Sequence, residues 1–277
     1  MGKIIAVVNQ KGGVGKTTTA INVAAAISLY GHETLLVDCD PQTNASGGLG
    51  MARDLERSST YDVLLGEIEI GEAIVQTQVK HLSLLPGSKD LIGANFDLAQ
   101  QERREFRLKD ALETVKDRYR FILLDCPPAL DLLTLNALVA ADTLLVPMQA
   151  EYFALEGVAE LTGTLDRVAS AFQPDLGLEG VVLTMFDART SLSQQVAENL
   201  KQFFGDKLYT TTIPRNIRVA EAPSHGLPVV VYDPKSRGAE AYFELTRELL
   251  KQNGIRAPKN SPSVPRASLT RTASAGA

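Results

Sequence analysis

Residues 10–18 read QKGGVGKTT, and this stretch decides the fold. A short apolar, β-branched run precedes it at residues 3–9, and an alanine-rich run follows at residues 17–30, with Gly31 as its C-terminal cap. These patterns predict a β-strand, a glycine-rich turn and an α-helix in succession. Glycines let the backbone approach phosphate oxygens, and the helix N-terminus adds N–H donors and partial positive charge. The stretch therefore predicts a phosphate-binding loop.

The loop departs from the common form of this motif at one position. The usual pattern has a glycine five positions before the glycine of Gly-Lys-Thr, but here that position is Gln10 and Lys11 follows it. The variant Lys-Gly-Gly-x-Gly-Lys-Thr fits instead. We expect Lys16 to pair with the β- and γ-phosphates of a nucleotide and Thr17 to offer its hydroxyl to Mg²⁺. The sequence thus indicates a nucleotide site with a second lysine.

Two further strand-like runs end in acidic residues. Residues 33–38 lead into Asp38 and Asp40, and residues 121–125 end at Asp125. Because ligands bind at the carboxyl ends of strands in open parallel sheets, these acids are expected to face the loop. Asp125 is expected to hold the metal shell, and Asp40 to contact Mg²⁺ and orient the attacking water. For Asp38 a structural role in a turn or cap is equally compatible with the pattern.

Several separated motifs resemble one known family. With the loop, VDCDPQ at residues 37–42 and LDCPP at residues 124–128 resemble the ParA/MinD family of deviant Walker A ATPases. The resemblance covers residues 1–253. Four later segments are similar to the chromosomal ParA subgroup, also called Soj, rather than to MinD: TMFDART at 184–190, IPRNIR at 213–218, EAPSHG at 221–226 and YDPKSRG at 232–238.

The resemblance implies that ATP joins two copies of the chain. In such proteins the extra lysine, here Lys11, reaches the partner's ATP, and Gly12 lies near the dimer seam. It also implies an adenine pocket. The cofactor-binding set then comprises Lys11, Gly12, Gly13, Val14, Gly15, Lys16, Thr17, Thr18, Met185, Pro214 and Asn216. The catalytic residues implied are Lys11, Lys16 and Asp40; the metal residues are Thr17, Asp40 and Asp125. ATP and Mg²⁺ are the expected cofactors.

Strand-like and helical runs alternate along the chain, which has 277 residues and 44% apolar content. This alternation predicts a single α/β domain with a doubly wound, mostly parallel sheet over residues 1–253. Further strands are predicted at 82–85, 143–148, 180–186, 209–213 and 228–232. Helices are predicted at 90–117, 154–172 and 192–204.

The two cysteines, Cys39 and Cys126, give no disulfide framework. Both are expected to be small buried packing residues, and a reducing cytoplasm is the natural setting. The N-terminus shows no signal-type segment, and no apolar run approaches the length of a membrane span.

Charge is distributed unevenly. The net charge is −5, yet residues 249–277 contain five Lys or Arg and no acid, so they carry +5 and the rest carries −10. The resemblance implies non-specific binding of double-stranded DNA through Arg189 and Arg218, with Lys201 and Lys251 as further candidates. For each one alone, a solvated surface charge is an equally good interpretation.

Residues 254–277 are rich in Ser, Pro, Ala and Arg and predict a disordered basic tail. Three prolines, Pro258, Pro262 and Pro265, stand where MinD-like relatives have a membrane-binding amphipathic helix, so a membrane partner is not expected.

The resemblance therefore implies a slow Mg-dependent ATPase for chromosome or plasmid partitioning, which dimerises with ATP, binds nucleoid DNA in the cytoplasm and is stimulated by a ParB-type centromere-binding partner. Two alternatives remain open. One is a MinD-like positioning ATPase that cycles on a membrane, and the other is a nucleotide-gated regulator or scaffold that positions another cargo.

Overall fold

The computed structural model describes residues 2–51, 57–151, 154–258 and 262, without the side chains at 155, 156 and 159–161. The strands are β1 (Lys3–Val7), β2 (Thr34–Asp38), β3 (Val75–Gln76), β4 (Leu82–Leu85), β5 (Phe121–Asp125), β6 (Thr143–Gln149) and β7 (Gly177–Thr184). The α-helices are α1 (Lys16–Leu29), α2 (Asn44–Gly48), α3 (Thr60–Leu65), α4 (Ile70–Ala73), α5 (Leu91–Asp97), α6 (Arg107–Glu113), α7 (Leu132–Ala140), α8 (Ala154–Ala171), α9 (Ser191–Phe204), α10 (Ile217–Glu221), α11 (Val229–Tyr232) and α12 (Arg237–Gln252).

The strands form one sheet in the order β3-β4-β2-β5-β1-β6-β7, and only the pairing of β3 with β4 is antiparallel. The register pairs Val7 of β1 and Asp38 of β2 with Asp125 of β5. The strands that carry the predicted site therefore end level with one another. The doubly wound, mostly parallel sheet predicted from the sequence is confirmed.

The core lies on both faces of this sheet. Along β1, Ile4 and Ala6 pack on the face covered by α3 to α9, whereas Ile5 and Val7 pack on the face covered by α1, α11 and α12. This alternation follows from the two-residue period of a strand, and burial on both faces explains why the strands read as continuous apolar runs.

The strand predicted at residues 209–213 was wrong. The backbone N–H groups of Tyr209 and Ile213 donate to carbonyls of β7, but those of Thr210 and Thr211 donate to the side chain of Glu248. Because a carboxylate on α12 takes two of the backbone donors between these contacts, no regular ladder forms beside β7.

Two other predicted elements also differ. The run at residues 228–232 is not a strand but the short helix α11, which follows Pro228 and packs Val229 and Val230 against α1. The single helix predicted over residues 90–117 is divided into α5, a 3-10 turn and α6. Arg103, between them, has a left-handed φ of 55°, which a continuous helix does not allow.

The start of the predicted tail, residues 254–258, lies against the domain. Ile255 donates its N–H to the carbonyl of Leu250 at 2.9 Å, and Ile255 and Ala257 pack on the core. Most of the remaining tail lies outside the described residues. In the described part of the chain, no helix combines the length and the apolar content that a membrane crossing needs.

Candidate nucleotide-binding site

The phosphate loop connects β1 to α1, whose first residue is Lys16. Gly13 and Gly15 have left-handed φ angles of 74° and 87°, which glycine adopts without strain. Between them, the Val14 side chain is buried in the core and fixes the loop to the domain. The sequence therefore places a rigid turn at a helix N-terminus, where backbone N–H groups are free to bind an anion.

Two polar side chains from neighbouring strands hold the loop. The Thr184 hydroxyl donates to the carbonyl of Val14 at 2.7 Å, and the Gln149 amide donates to the carbonyl of Gly13 at 3.3 Å. Neither side chain was among the predicted site residues. Both stand at the carboxyl end of a parallel strand, the same edge of the sheet where the aspartates were predicted to lie.

Lys16 is buried, and its ammonium group donates to the carbonyl of Lys11 at 3.2 Å. Burial lowers the pKa of Lys16, while the nearby charges of Asp125 and Asp40 oppose that shift. A partly desolvated ammonium at the phosphate loop is well placed to bind phosphate oxygens, since the low dielectric strengthens each interaction.

Asp125 lies fully buried at the end of β5, and neither of its carboxylate oxygens makes a hydrogen bond of normal geometry in the described part of the chain. Burial, with the nearby Asp38 charge, raises the pKa of Asp125 well above its usual range, although the Thr17 hydroxyl and Lys16 act in the opposite direction. An unpartnered buried carboxylate is costly. Such a group fits a role in holding a hydrated divalent cation.

The loop after β2 is organised by Asp38. This carboxylate accepts hydrogen bonds from the Ser46 N–H at 2.8 Å, from the Ser46 hydroxyl at 2.6 Å and from the Asp40 N–H at 3.3 Å. Burial raises the pKa of Asp38 to about 6. Asp40 is also buried and accepts the N–H of Gln42 at 2.9 Å. Asp38 thus has a structural role that fixes the position of Asp40.

The raised pKa values of Asp38 and Asp125 predict a pH-dependent stability. Because folding raises both pKa values, the unfolded chain binds fewer protons than the folded chain over this range. The free energy of unfolding should therefore fall as the pH rises from about 4 through 6. We expect Asp125→Asn to remove part of this fall. Between pH 4.5 and pH 8, the free energy of unfolding of the variant should rise by about 1–3 kcal/mol relative to that of wild type. Urea unfolding without nucleotide or Mg²⁺ measures it. The exposed Asp175→Asn is the control, and parallel pH profiles for Asp125→Asn and wild type would contradict the assignment.

Lys11 lies on the surface of the loop. Its ammonium group forms an ion pair with Glu151 at 2.5 Å, and about half of each side chain is exposed. Glu151 follows β6 and was not predicted. Exposed pairs of this kind contribute little stability, so Lys11 is free to exchange Glu151 for another anion at low cost.

The residues predicted to line the adenine pocket lie together beside the phosphate loop. Met185, Pro214 and Asn216 line one cleft of about 190 Å³ with Gly15 and Thr18. Met185 has a left-handed φ of 50°, an uncommon backbone conformation for such a residue.

Two interactions order the walls of this cleft. The Met185 sulfur accepts the Gln149 amide at 3.0 Å. Asn216 caps α10 with its amide oxygen, which accepts the N–H of Arg218 at 2.8 Å. The same Gln149 amide therefore contacts both the phosphate loop and the cleft.

The candidate DNA-binding residues are all exposed, and two of them pair with nearby acids. Arg189 pairs with Asp187 at 2.7 Å, and Arg218 pairs with Glu221 and, at 3.3 Å, with Asp233. Lys201 on α9 donates to a backbone carbonyl, and Lys251 lies near the C-terminal end of α12.

Cys39 and Cys126 immediately follow β2 and β5 and are buried in the core. Burial raises the pKa of both thiols well above the usual range. The prediction of small buried packing residues is confirmed for both.

Comparisons with known proteins agree with this geometry. A family model described as an AAA domain matches residues 2–178. The chromosome partitioning protein ParA of Caulobacter vibrioides is 49% identical over 93% of this chain and 97% of its own length. The chromosome-partitioning ATPase Soj of Treponema pallidum is 49% identical over 92% of this chain and 100% of its own length.

A solved structure shares the fold as well. It is named as cobyrinic acid a,c-diamide synthase from Mycobacterium smegmatis with a bound ATP analogue and magnesium, at 36% identity and a TM-score of 0.80 over 93% of this chain and 99% of that one. The identity to the two partitioning proteins extends over nearly the whole domain. The chain therefore belongs to the ParA/Soj family of chromosome-partitioning ATPases.

Proposed function

We propose that this chain is an ATP-dependent dimerising switch that binds DNA non-specifically and hydrolyses ATP to drive partitioning. The observation that carries the proposal is the convergence of Lys16, Asp40 and Asp125 beneath a loop that also presents an exposed second lysine, Lys11. Relatives named as partitioning ATPases and a similar structure with an ATP analogue and magnesium support it.

In this proposal the loop binds the phosphates of ATP. Backbone N–H groups at the start of α1 and the Lys16 ammonium hold the anionic oxygens. Thr17, Asp40 and Asp125 would hold Mg²⁺ and its water shell, and the cation would supply positive charge next to the phosphates. Asp40 orients the attacking water, and its position depends on the hydrogen bond to Asp38. Met185, Pro214 and Asn216 enclose the base.

Lys11 supplies the connection between two subunits. Its side chain is half exposed, and within the described residues its one anionic partner is Glu151, in a weak surface pair, so it is available to the nucleotide of a second copy. A cation contributed across the dimer stabilises charge on the transferred phosphoryl group in the manner of an arginine finger. ATP binding and dimerisation are thereby coupled.

DNA binding follows from exposed cations on the C-terminal half of the chain. Arg189, Lys201 and Arg218 provide phosphate contacts that read no base, so the interaction is salt-sensitive and indifferent to sequence. Such a protein resides on the nucleoid in the cytoplasm, and a ParB-type partner stimulates hydrolysis and releases it.

The test uses the Asp40→Ala variant, which we expect to bind ATP, dimerise and hydrolyse at least about 100-fold more slowly than wild type, the size typical of losing a group that positions a reactant. Its binding to unrelated duplexes is measured with ATP, with ADP and without nucleotide across a salt series. ATP-enhanced, salt-sensitive binding to every duplex is the expected result.

Charge reversal identifies the surface, and vesicles test the membrane alternative. Arg189→Glu and Arg218→Glu should each keep the ATP-bound dimer but lower DNA affinity and the salt dependence of binding. ATP-dependent binding to anionic vesicles in place of DNA would reject the proposal in favour of a membrane-cycling ATPase. Binding to neither would favour a regulator that acts through a protein partner.

A further inference from the structure

Gln149 lies between two parts of the nucleotide site, the phosphate loop and the cleft beside it. It is the last residue of β6, and the register sets it opposite Thr184, the last residue of β7. Side chains at one register level of neighbouring parallel strands lie side by side on the same face of the sheet. Both side chains reach the loop, and the Gln149 amide also reaches Met185 in the wall of the cleft. One amide group therefore joins the two parts of the site.

The hydrogen bonds from Gln149 and Thr184 orient two peptide groups of the loop. They are made to the Gly13 carbonyl at 3.3 Å and to the Val14 carbonyl at 2.7 Å. In a trans peptide group, the C=O and the N–H of the next residue point in opposite directions. The loop peptides are trans, so fixing the Gly13 carbonyl fixes the direction of the Val14 N–H. In the same way, the Val14 carbonyl fixes the direction of the Gly15 N–H. Both N–H groups belong to the turn to which the proposed function assigns the phosphates.

The backbone of Met185 brings its sulfur to Gln149. Met185 directly follows β7, and its φ is 50°. In a continuing strand, Thr184 and Met185 would point to opposite faces of the sheet. Instead, the Thr184 hydroxyl contacts the loop and the Met185 sulfur accepts the Gln149 amide at 3.0 Å. A left-handed conformation is costly for a residue with a side chain, and such conformations cluster at functional sites.

The two contacts of the Gln149 amide are individually weak. The distance of 3.3 Å to the Gly13 carbonyl is longer than a typical hydrogen bond, and a thioether sulfur is a weak acceptor. Gln149 and Met185 are both half-buried, so neither side chain is fixed by the core. A purine base that packs on Met185 would restrict the sulfur and, with it, the amide. The orientation of the Gly13 carbonyl would then depend on what occupies the cleft.

We propose that Gln149 is a positioning residue that couples the base cleft to the phosphate loop. This inference rests on the proposed nucleotide-binding function and adds a residue to it. A base packed on Met185 holds the sulfur, the sulfur holds the Gln149 amide, and the amide fixes the Gly13 carbonyl. The Val14 N–H is then directed at the phosphates only when the base is in place. The loop therefore binds the phosphates of an adenine nucleotide more tightly than it binds phosphates that carry no base.

The experiment compares the binding of ADP and of pyrophosphate, both with Mg²⁺, to the full chain. The two ligands share two phosphates and differ in the nucleoside, and the proposed dimer requires ATP, so neither ligand joins two subunits. Gln149→Leu keeps a similar volume and removes the amide. Dissociation constants are measured by competition with a fluorescent ADP derivative. We expect ADP to bind on the order of fivefold more weakly, the effect of about one net hydrogen bond, and pyrophosphate to change by less than about twofold.

Thr184→Val is the matched control. The Thr184 hydroxyl holds the Val14 carbonyl whatever the cleft contains, and valine keeps the shape of the cleft wall. This variant should weaken the binding of ADP and of pyrophosphate by the same factor, because it changes the loop alone.

Met185→Leu tests the other end of the connection. It removes the sulfur and keeps an apolar side chain in the cleft, so it should reproduce the loss that is selective for ADP. The double variant Gln149→Leu/Met185→Leu should lose no more affinity for ADP than Gln149→Leu alone, since residues in one chain of contacts are not additive. If Gln149→Leu does not fold, Met185→Leu provides the same comparison of the two ligands.

Amide hydrogen exchange of single loop residues, followed by NMR at saturating ADP, is the second measurement. Gln149→Leu should speed exchange of the Val14 N–H, and Thr184→Val should speed exchange of the Gly15 N–H. Thermal unfolding without ligand shows whether each variant keeps the folded domain.

Three outcomes would overturn the inference. An equal loss of ADP and pyrophosphate affinity in Gln149→Leu would make this residue a support of the loop and nothing more. Unchanged ADP affinity would remove it from nucleotide binding. Additive losses in the double variant would show that Met185 and Gln149 act independently. If the wild-type chain binds neither ADP nor ATP, the proposed function itself fails, a result that is distinct from the other three.

Discussion

Replacing Lys16 with alanine is expected to lower the affinity for ATP by more than about 100-fold. Lys16 is buried, and the charges of Asp125 and Asp40 act on its ammonium group, which donates to the loop carbonyl of Lys11. Truncating one partner of a buried charge pair costs about 2–5 kcal/mol, because the other charge is left without compensation. Titration calorimetry with a non-hydrolysable ATP analogue and Mg²⁺ measures the loss.

Lys11→Ala is the matched control, since it removes the second lysine of the same loop from an exposed position. We expect it to bind the analogue within about threefold of wild type as a monomer, because one exposed charge contributes little in water. The Lys16 substitution should therefore affect ATP binding, whereas the Lys11 substitution should affect dimerisation. Wild-type affinity in Lys16→Ala would overturn the assignment of the site.

Gly12→Val is expected to abolish ATP-dependent dimerisation while ATP still binds. A Cβ at Gly12 meets no other atom within 4 Å in the protomer, and its φ lies outside the left-handed region. Valine is therefore compatible with the loop of a single chain. In the proposed dimer the valine side chain would clash with the facing subunit. A close-packed interface has no space for the added atoms, so the dimer should not form.

Light scattering after size exclusion measures this effect best in the Asp40→Ala background, where ATP is not consumed. Gly12→Ala adds a smaller side chain and should weaken the dimer less than valine does. Equal ATP affinity and equal melting temperature in both variants would show that the loop is intact. A normal ATP-bound dimer of Gly12→Val would place the seam elsewhere.

Much of the site was predictable because its chemistry is local in the sequence. The glycines and Lys16 lie in one short motif, and Asp40 and Asp125 each follow an apolar run that reads as a buried strand. Since parallel strands end at one edge of a sheet, the sequence brings these segments together without knowledge of the connections between them.

The loop's supporting contacts were not predictable in the same way. Thr184 and Gln149 reach the loop from 170 and 136 residues away in sequence, and each is an ordinary polar residue at a strand end. Nothing in the sequence distinguishes Glu151 from the other acidic residues, and its contact with Lys11 is seen only in the folded chain. Such partners depend on strand order, which a single sequence does not specify.

The two incorrect strand predictions have a similar cause, a contact between residues distant in sequence. Residues 228–232 are rich in β-branched side chains and so favour a strand locally, but packing of Val229 and Val230 on α1 stabilises a helical turn. At residues 209–213 the local pattern also favours a strand, yet Glu248 on α12 takes two of the backbone donors. In both places a contact distant in sequence outweighs the local propensity.

In the proposed function, the unpartnered carboxylate of Asp125 makes the stability of the folded protein depend on bound nucleotide and Mg²⁺. A buried acid that has no hydrogen bond of normal geometry to the described residues destabilises the centre of the sheet, where β1, β2 and β5 meet. If it is satisfied only when a cation and nucleotide bind, the ligand stabilises the native chain by mass action, by about 2.7 kcal/mol at a hundredfold excess over its dissociation constant. Proteases cleave mainly the unfolded form, so degradation in a cell should accelerate when ATP is scarce.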